Sequence, residues 1–364
     1  MKLIHLSDLH IGKRVNEFSM LEDQKYILAQ ILTIIDKERP DGVILAGDIY
    51  DKPVPPAEAV KVLDDFLTEL AKRQLTVFVI SGNHDSPERI AFGAQLMSSC
   101  GVHVAPVYDG SAKKIVMEDA YGEVHVHLLP FIKSSAVCVA IEHMDVDRNQ
   151  RNVLVAHQFV TGAGRCESEE ISVGGLDHVD VSLFDDFDYV ALGHIHSPQH
   201  IGRETVRYCG TPLKYSFSEA EQEKSVTVME LREKGQVEIG KIPLVPLRDM
   251  RKLRGTYLEV TALSFYQGTN TEDYVQITLT DEEDIPDGMQ KLRVIYPNLM
   301  RLEYDNRRTR ANREIEGTDA AEQKSELELF EEFYELQNNQ PMSRQQRDYV
   351  MGLIQSLKEP EAQG

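Results

Sequence analysis

Val77-Phe78-Val79-Ile80-Ser81-Gly82-Asn83-His84-Asp85 is an apolar run followed almost at once by a glycine, an amide, an imidazole and a carboxylate. A short apolar run bounded by a turn signal reads as a buried strand. The glycine lets the backbone turn sharply at its end. Four other runs finish in the same way. Residues 3–6 lead into Asp8-Leu9-His10, 43–46 into Gly47-Asp48, 153–156 into His157, and 189–192 into Gly193-His194-Ile195-His196. A lone D-x-H or G-D is weak evidence, since most such pairs are turns or helix caps. G-H-I-H is stronger, because residues i and i+2 of an extended segment share a face. In open α/β sheets ligands bind outside the carboxyl ends of strands, so clusters scattered in sequence converge in space. Asp8, Asp48, Asn83 and the imidazoles of His10, His157, His194 and His196 suffice for two divalent ions with a shared carboxylate. His84 and Asp85 are left over. The set predicts a two-metal phosphoesterase.

Composition bounds the rest. The 364 residues, 41% of them apolar, suit a globular protein of two or three domains. No run approaches the ~18 apolar residues of a membrane span. The first strand runs directly into site residues, which argues against a signal peptide. Cys100, Cys138, Cys166 and Cys209 are scattered without a C-x-x-C pair, as reduced thiols are. A cytoplasmic protein with no membrane partner is expected. The net charge of −21 lacks the basic footprint of nucleic-acid binders. Much of that acid lies late in the chain, in Glu326, Glu328, Glu331, Glu332 and Glu335. If the substrate is nucleic acid, a local patch or a partner protein must supply most of the affinity.

Between the early strands lie helix-period segments, 22–37 and 57–73, the second opened by Pro55-Pro56. Apolar strands separated by helices predict an α/β layered core with strands covered on both faces. Residues 224–231 and 236–242 flank Glu233-Lys234-Gly235 and read as a hairpin completing it. The expected divisions are a core domain over 1–246 and a small α/β capping domain over 247–305. The latter has strands at 256–260, 274–280 and 300–304 and a helix at 288–294. A charged linker over 306–325 and two amphipathic helices within 326–364 follow. Those helices carry Leu327, Phe330, Phe333 and Tyr334, then Tyr349, Val350, Leu353, Ile354 and Leu357, with Ser343 as an N-cap.

The order D-x-H, G-D, G-N-H-D, H, G-H-x-H resembles that of the calcineurin-like metallophosphoesterases. Four further stretches are similar to one branch, the SbcD-type nuclease subunits of bacterial DNA-end-processing complexes. They are Pro55-Pro56-Ala57-Glu58-Ala59-Val60, His157-Gln158-Phe159-Val160, Ser168-Glu169-Glu170 and Gly210-Thr211-Pro212-Leu213-Lys214-Tyr215-Ser216-Phe217-Ser218-Glu219. The resemblance implies that Asp8, His10 and His196 hold one metal, Asn83, His157 and His194 the other, and that Asp48 bridges them. It implies two Mn(II) per chain, with Mg, Fe or Zn as substitutes. It makes His84 the acid for the leaving oxygen and Asp51 the group that orients it. The implied activity is exonuclease and single-strand endonuclease cleavage of DNA ends and hairpins in repair, recombination and replication. The implied partners are an SbcC-type SMC-like ATPase, docked by the C-terminal helices, DNA, and a second copy paired through the nuclease domain. A small-molecule phosphoesterase, acting on a cyclic nucleotide or a phosphomonoester, is the alternative; the second module and the terminal helices weigh against it.

Other candidates are less specific. His125 and His127 alternate on a strand with no third ligand nearby, so surface or core histidines are the better reading. Lys13, Arg14 and Arg89 flank two clusters and could touch phosphate or only solvent. Arg307, Arg308, Arg310 and Arg313 could contact DNA or keep the linker extended.

Overall fold

Each apolar run becomes a strand whose two faces are both covered, which is why its side chains need not alternate in polarity. The structure, a computed structural model, describes residues 1–169, 179–310 and 342–358, with Leu327, Phe330, Glu331 and Tyr334. It contains two compact units, Met1–Met250 and Arg251–Gly364. The first unit begins with β1 (Lys2–Leu6), a small flap of β2 (Arg14–Val15) and β3 (Phe18–Ser19), α1 (Leu21–Glu38) and β4 (Gly42–Ala46). Then come α2 (Ala57–Lys72), β5 (Thr76–Ile80), α3 (Pro87–Ile90), α4 (Ala94–Ser98) and β6 (Val102–Ala105). The hairpin β7 (Lys113–Asp119) and β8 (Gly122–Leu129) leads to α5 (Ser134–Glu142), β9 (Arg151–His157) and β10 (Tyr189–Gly193). Strands β11 (Gln199–Ile201), β12 (Arg203–Tyr208), β13 (Ser225–Leu231) and β14 (Val237–Pro243) complete it.

Two six-stranded sheets result, ordered β14-β13-β1-β4-β5-β6 and β11-β12-β10-β9-β8-β7. In the first, β1, β4, β5 and β6 are parallel, with Leu6 opposite Leu45 and Ala46 opposite Ile80. In the second, β8, β9, β10 and β12 are parallel, with Gly193 opposite His157. These registers bring the site-bearing strand ends level with one another. One core cluster mixes Leu3, Ile44, Phe78 and Ile80 with Val124, Val126, Val153, Val155 and Tyr189. The sheets therefore pack face to face. Outside the second sheet, Val137 and Ala140 of α5 cover Leu154, Val190 and Leu192. In the helices of the first sheet, Ile27, Ile31 and Ile35 of α1 and Val62, Phe66 and Leu70 of α2 form buried stripes at helical spacing. The strands that grow from the apolar runs have both faces covered, as expected, but on the inner side the cover is another sheet, and the edge strands β7 and β14 are partly exposed. A fully apolar run cannot reveal which kind of layer will bury it.

The second unit has β15 (Met250–Gly255), α6 (Tyr257–Thr261), α7 (Leu263–Tyr266), β16 (Tyr274–Leu279), α8 (Gly288–Arg293) and β17 (Leu299–Tyr304). Its sheet order is β15-β16-β17 around Val260, Val275, Ile277, Leu279, Leu292, Tyr296 and Leu299. Residues 256–260, expected as a strand, are instead a helix start. Thr256 and Glu259 form a reciprocal capping box, which satisfies the amide groups a strand would have sent to a neighbour. The C-terminal helix Arg344–Lys358 is capped as expected. Ser343 N–H donates to Gln346 Oε1 at 2.8 Å and Gln346 N–H to Ser343 Oγ at 3.3 Å. Expectations for residues 311–325, Arg313 and Phe333 lie outside the described residues. Among the described residues no helix is long and apolar enough to cross a membrane.

Candidate metal centre

Four of the expected ligands sit in backbone conformations that L-residues rarely adopt: Asp8, His10, Asp48 and His194 have φ of 53°, 44°, 48° and 103°. Each such residue costs about 1–3 kcal/mol and persists only where its surroundings over-determine it. The surroundings do so here. Asp8 N–H donates to Gly47 O at 3.0 Å, His10 N–H to Asp48 O at 3.0 Å and Ile11 N–H to Ile49 O at 2.9 Å, zipping the loops after β1 and β4. Gln24 Nε2 donates to His10 O at 2.8 Å, and the Tyr215 hydroxyl to Leu9 O at 2.6 Å. The Asp85 carboxylate accepts from Ile49, Tyr50 and Gly82 N–H groups at 2.9–3.0 Å, tying the β4 loop to the β5 loop. Asp85, surplus to the expected ligand set, is the clamp of this corner. Its signal is a carboxylate closing a glycine-led loop. A Cβ on Gly82 would collide with the Asp48 carboxylate, and one on Gly193 with Ala46 O. Only glycine permits these strand ends to close on the site.

The donors converge. His10 Nε2 lies 3.1 Å from His196 Nε2, and both group with Asp8 within 4.8 Å. Asn83 Oδ1 lies 3.1 Å from His157 Nε2 and 3.0 Å from His194 Nδ1. Asp48 Oδ2 stands between these halves, 3.3 Å from His157 Nε2, 3.7 Å from His10 Nε2 and 3.9 Å from His84 Nε2. All of them are buried except Asn83, His84 and His194, which are half-buried. Two imidazole nitrogens 3.1 Å apart, an amide oxygen equally close to two more, and a buried carboxylate among them make up a donor set that fits a cation.

Second contacts fix which nitrogen faces inward. His157 Nδ1 donates to Ala46 O at 2.8 Å, leaving Nε2 for the centre. His196 Nδ1 donates to Ser168 Oγ at 2.7 Å, and Ser168 in turn donates to Glu219 Oε1 at 2.6 Å. Glu219 is wholly buried and is neutralised by Lys224 Nζ at 2.6 Å. This chain of contacts gives the Gly210–Glu219 stretch and Ser168 a role that the resemblance alone did not supply; no local pattern announces it.

Burial sets the charge states. It pushes His10 and His196 well below the ordinary imidazole range and His194 down to about 3. These rings are neutral and can ligate. Burial also opposes charge on His157, but the Asp48 carboxylate outweighs it and raises that ring to about 9. Burial disfavours Asp48 ionisation as well, and His157, His10 and His84 overcome that and hold it below the usual carboxylate range. Asp8, buried with less compensation, is pushed up to about 7.

Asp51 corrects an expectation. Its carboxylate turns to Lys13 Nζ at 2.7 Å and stands 3.7 Å from His10 Nδ1. His84 Nδ1 donates instead to the Asp51 main-chain carbonyl at 3.1 Å. The orienting group is backbone, so the side chain is dispensable for it. Asp51→Asn should change turnover by less than about fivefold, since it weakens the ion pair with Lys13, worth ~1 kcal/mol or less, and leaves the His84 hydrogen bond to the main-chain carbonyl in place; a hundredfold loss in a steady-state assay would restore the carboxylate to the role.

The other candidates find ordinary partners. His125 binds Glu123 at 2.8 Å and His127 binds Asn152 at 3.3 Å, both on β8. Arg14 donates to the Glu17 carbonyl. Arg308 pairs with Asp284 and Arg310 with Asp305, so these members of the basic run are engaged within the second unit.

Residues 1–198 match the family model described as calcineurin-like phosphoesterase, and residues 246–338 the one described as type 5 capsule protein repressor C-terminal domain. The chain is similar to the D subunit of the nuclease SbcCD from Staphylococcus epidermidis (strain ATCC 12228 / FDA PCI 1200). They are 30% identical over 384 residues, 99% of this chain and 100% of that protein. The protein of the same name from Staphylococcus saprophyticus subsp. saprophyticus is 31% identical over 322 residues, 83% of this chain and 84% of that one. Among solved structures, a dimetal phosphatase from Danio rerio matches 68% of this chain and 98% of its own at 12% identity and a TM-score of 0.42. Yfce, a phosphoesterase from E. coli, matches 63% and 88% at 13% identity and a TM-score of 0.27.

Proposed function

This chain belongs to the calcineurin-like phosphoesterase family and, within it, to the SbcD-type subunits of SbcCD nucleases; from that membership we propose a nuclease that hydrolyses phosphodiester bonds at DNA ends and hairpins with two Mn(II). The observation that carries the chemistry is the convergence of three oxygen-bearing side chains and four imidazoles, with the Asp48 carboxylate at their middle. Asp8, His10 and His196 would hold one ion, Asn83, His157 and His194 the other, with Asp48 shared. When bound, such ions offset charge at the phosphate and make water a nucleophile near neutral pH.

The chain's own groups supply the remainder. His84 is 16% exposed in its side chain, so it can reach substrate. Its Nδ1–H is committed to Asp51 O, which turns Nε2 toward the centre. From there it delivers a proton to the leaving oxygen. His157 and His196 keep one tautomer through Ala46 O and Ser168 Oγ, so neither must reorganise during turnover.

Partners complete the proposal. The C-terminal helices dock in a groove of an SbcC-type ATPase, a reading supported by the exposure of Tyr349 and Leu353, one helical turn apart. A second copy pairs beside the Gly82–Asp85 loop, where Phe92 and Leu96 are 86% and 78% exposed. The free cysteines suit a reducing cytoplasm. The test is cleavage of hairpin DNA, linear duplex and a phosphomonoester with Mn(II), run also on a chain ending at residue 320. The full chain should cut the DNAs. The shortened one should keep that activity and lose the ATPase partner. Cleavage confined to the monoester would overturn the nuclease reading, and partner binding by the shortened chain would overturn the docking.

A further inference from the structure

Two phenylalanines stand beside the Asn83, His157 and His194 half of the centre, and neither helps to hold it. The ring of Phe131 lies 6.2 Å from that of His157, edge-on at 78°. Phe131 is 39% exposed, although its N–H is pinned to Ser81 O at 2.9 Å, at the end of the β5 strand. The ring of Phe159 lies 6.4 Å from that of His194. It is shielded by the guanidinium of Arg165, 3.9 Å above the ring centroid.

Arg165 is exposed and, among the described residues, makes no ion pair with a carboxylate. Three other cations of this unit differ: Lys13 is spent on Asp51, Lys224 on Glu219 and Lys214 on Asp249. Nor is Arg165 at the tip of a loose loop. The four residues after it are fastened one by one. Cys166 Sγ accepts from Gln222 Nε2 at 3.2 Å, Glu167 N–H donates to Ser218 Oγ at 3.0 Å, Ser168 joins His196 to Glu219, and Glu169 Oε1 accepts from His196 N–H at 2.8 Å. In a chain of net charge −21, a guanidinium with no ion pair among the described residues is thus held over Phe159, whose ring stands beside His194, while the exposed ring of Phe131 stands beside His157 of the same half of the centre.

We propose that Phe131 and Arg165 form a nucleotide subsite on this side of the centre, Phe131 stacking a base and Arg165 taking the phosphate next to the scissile one. The inference rests on the nuclease reading and deepens it. A base can stack on a side chain only when it has left its duplex neighbours, so the subsite takes an unpaired nucleotide, at a frayed end or in a hairpin loop. An acidic protein then need not grip the whole duplex; it reads one splayed nucleotide beside the metals.

The experiment uses full-length protein with Mn(II) and a single-stranded oligonucleotide bearing 2-aminopurine at its terminal nucleotides. Wild type should bind with quenching of the 2-aminopurine fluorescence. Phe131→Ala should lose the quenching and raise KM about tenfold, more than it lowers kcat, as loss of one stacked base does; Phe131→Trp should restore both. Arg165→Ala should lower the slope of log affinity against log salt by about 0.7, the contribution of one phosphate on a single strand. Calorimetric Mn(II) affinity should be unmoved in all three, which separates a substrate contact from a damaged metal site. Wild-type quenching and salt slope in Phe131→Ala and Arg165→Ala overturn the subsite, as does a wild type that fails to bind the strand. A wild type that binds with quenching but cuts no DNA overturns the nuclease reading instead.

Discussion

Asp48→Asn should abolish tight Mn(II) uptake in both halves of the proposed centre and lower turnover on the order of a thousandfold, since breaking a buried charge arrangement costs about 3–5 kcal/mol. The substitution keeps the size of the side chain and removes its charge. Asp48 Oδ1 accepts the His84 N–H at 2.9 Å, and Oδ2 faces the nitrogens of His157, His10 and His84. An asparagine can present its oxygen to only one of these sides. Turned to keep the His84 N–H, it points an NH2 at three imidazoles and at any cation among them. Asp8 alone then supplies carboxylate charge. Isothermal calorimetry decides the matter: a variant that takes up two Mn(II) with wild-type affinity would show that Asp48 is not the shared ligand.

His84→Gln should lower turnover about 10²- to 10⁴-fold, the usual contribution of a positioned general acid, while two Mn(II) still bind. Glutamine can keep a hydrogen bond to the Asp51 carbonyl, but it has no proton to give to a leaving alkoxide. The defect should shrink on a nitrophenyl ester, whose leaving group departs without a proton. His84 also lies close enough to His10 and Asp48 to belong to a ligand group. Metal content therefore separates the two roles. Loss of one Mn(II) in the variant would make His84 a ligand.

The residues that were legible in the sequence are those placed by strand ends. Asp8, Asp48, Asn83, His157 and His194 each follow a buried run, and a parallel sheet delivers such ends to one edge whatever the loops do. What was not legible depends on contacts between distant segments. Asp51 looked like an orienting carboxylate because spacing says where a residue is, not which of its atoms points where. The Ser168–Glu219–Lys224 chain joins residues 51 and 5 positions apart, and its members are individually ordinary polar residues. Residues 256–260 suggest a strand because Thr, Tyr and Val favour strands, and the Thr256–Glu259 box outweighs that preference to give the helix Tyr257–Thr261. The inner sheet layer was invisible for a related reason, since an apolar run is equally content against a helix or a strand.

The two sheets contribute interlocking halves: Asp8, His10, Asp48 and Asn83 come from one, and His157, His194 and His196 from the other. An ion shared by them works as a rivet through the sandwich. Any ion that binds only the assembled sheets stabilises them by RT ln(1 + [L]/Kd), so loading and folding are one equilibrium. Melting temperature should therefore report occupancy of the active centre. Metal supply should then set how much of this protein stays folded as well as how much of it is active.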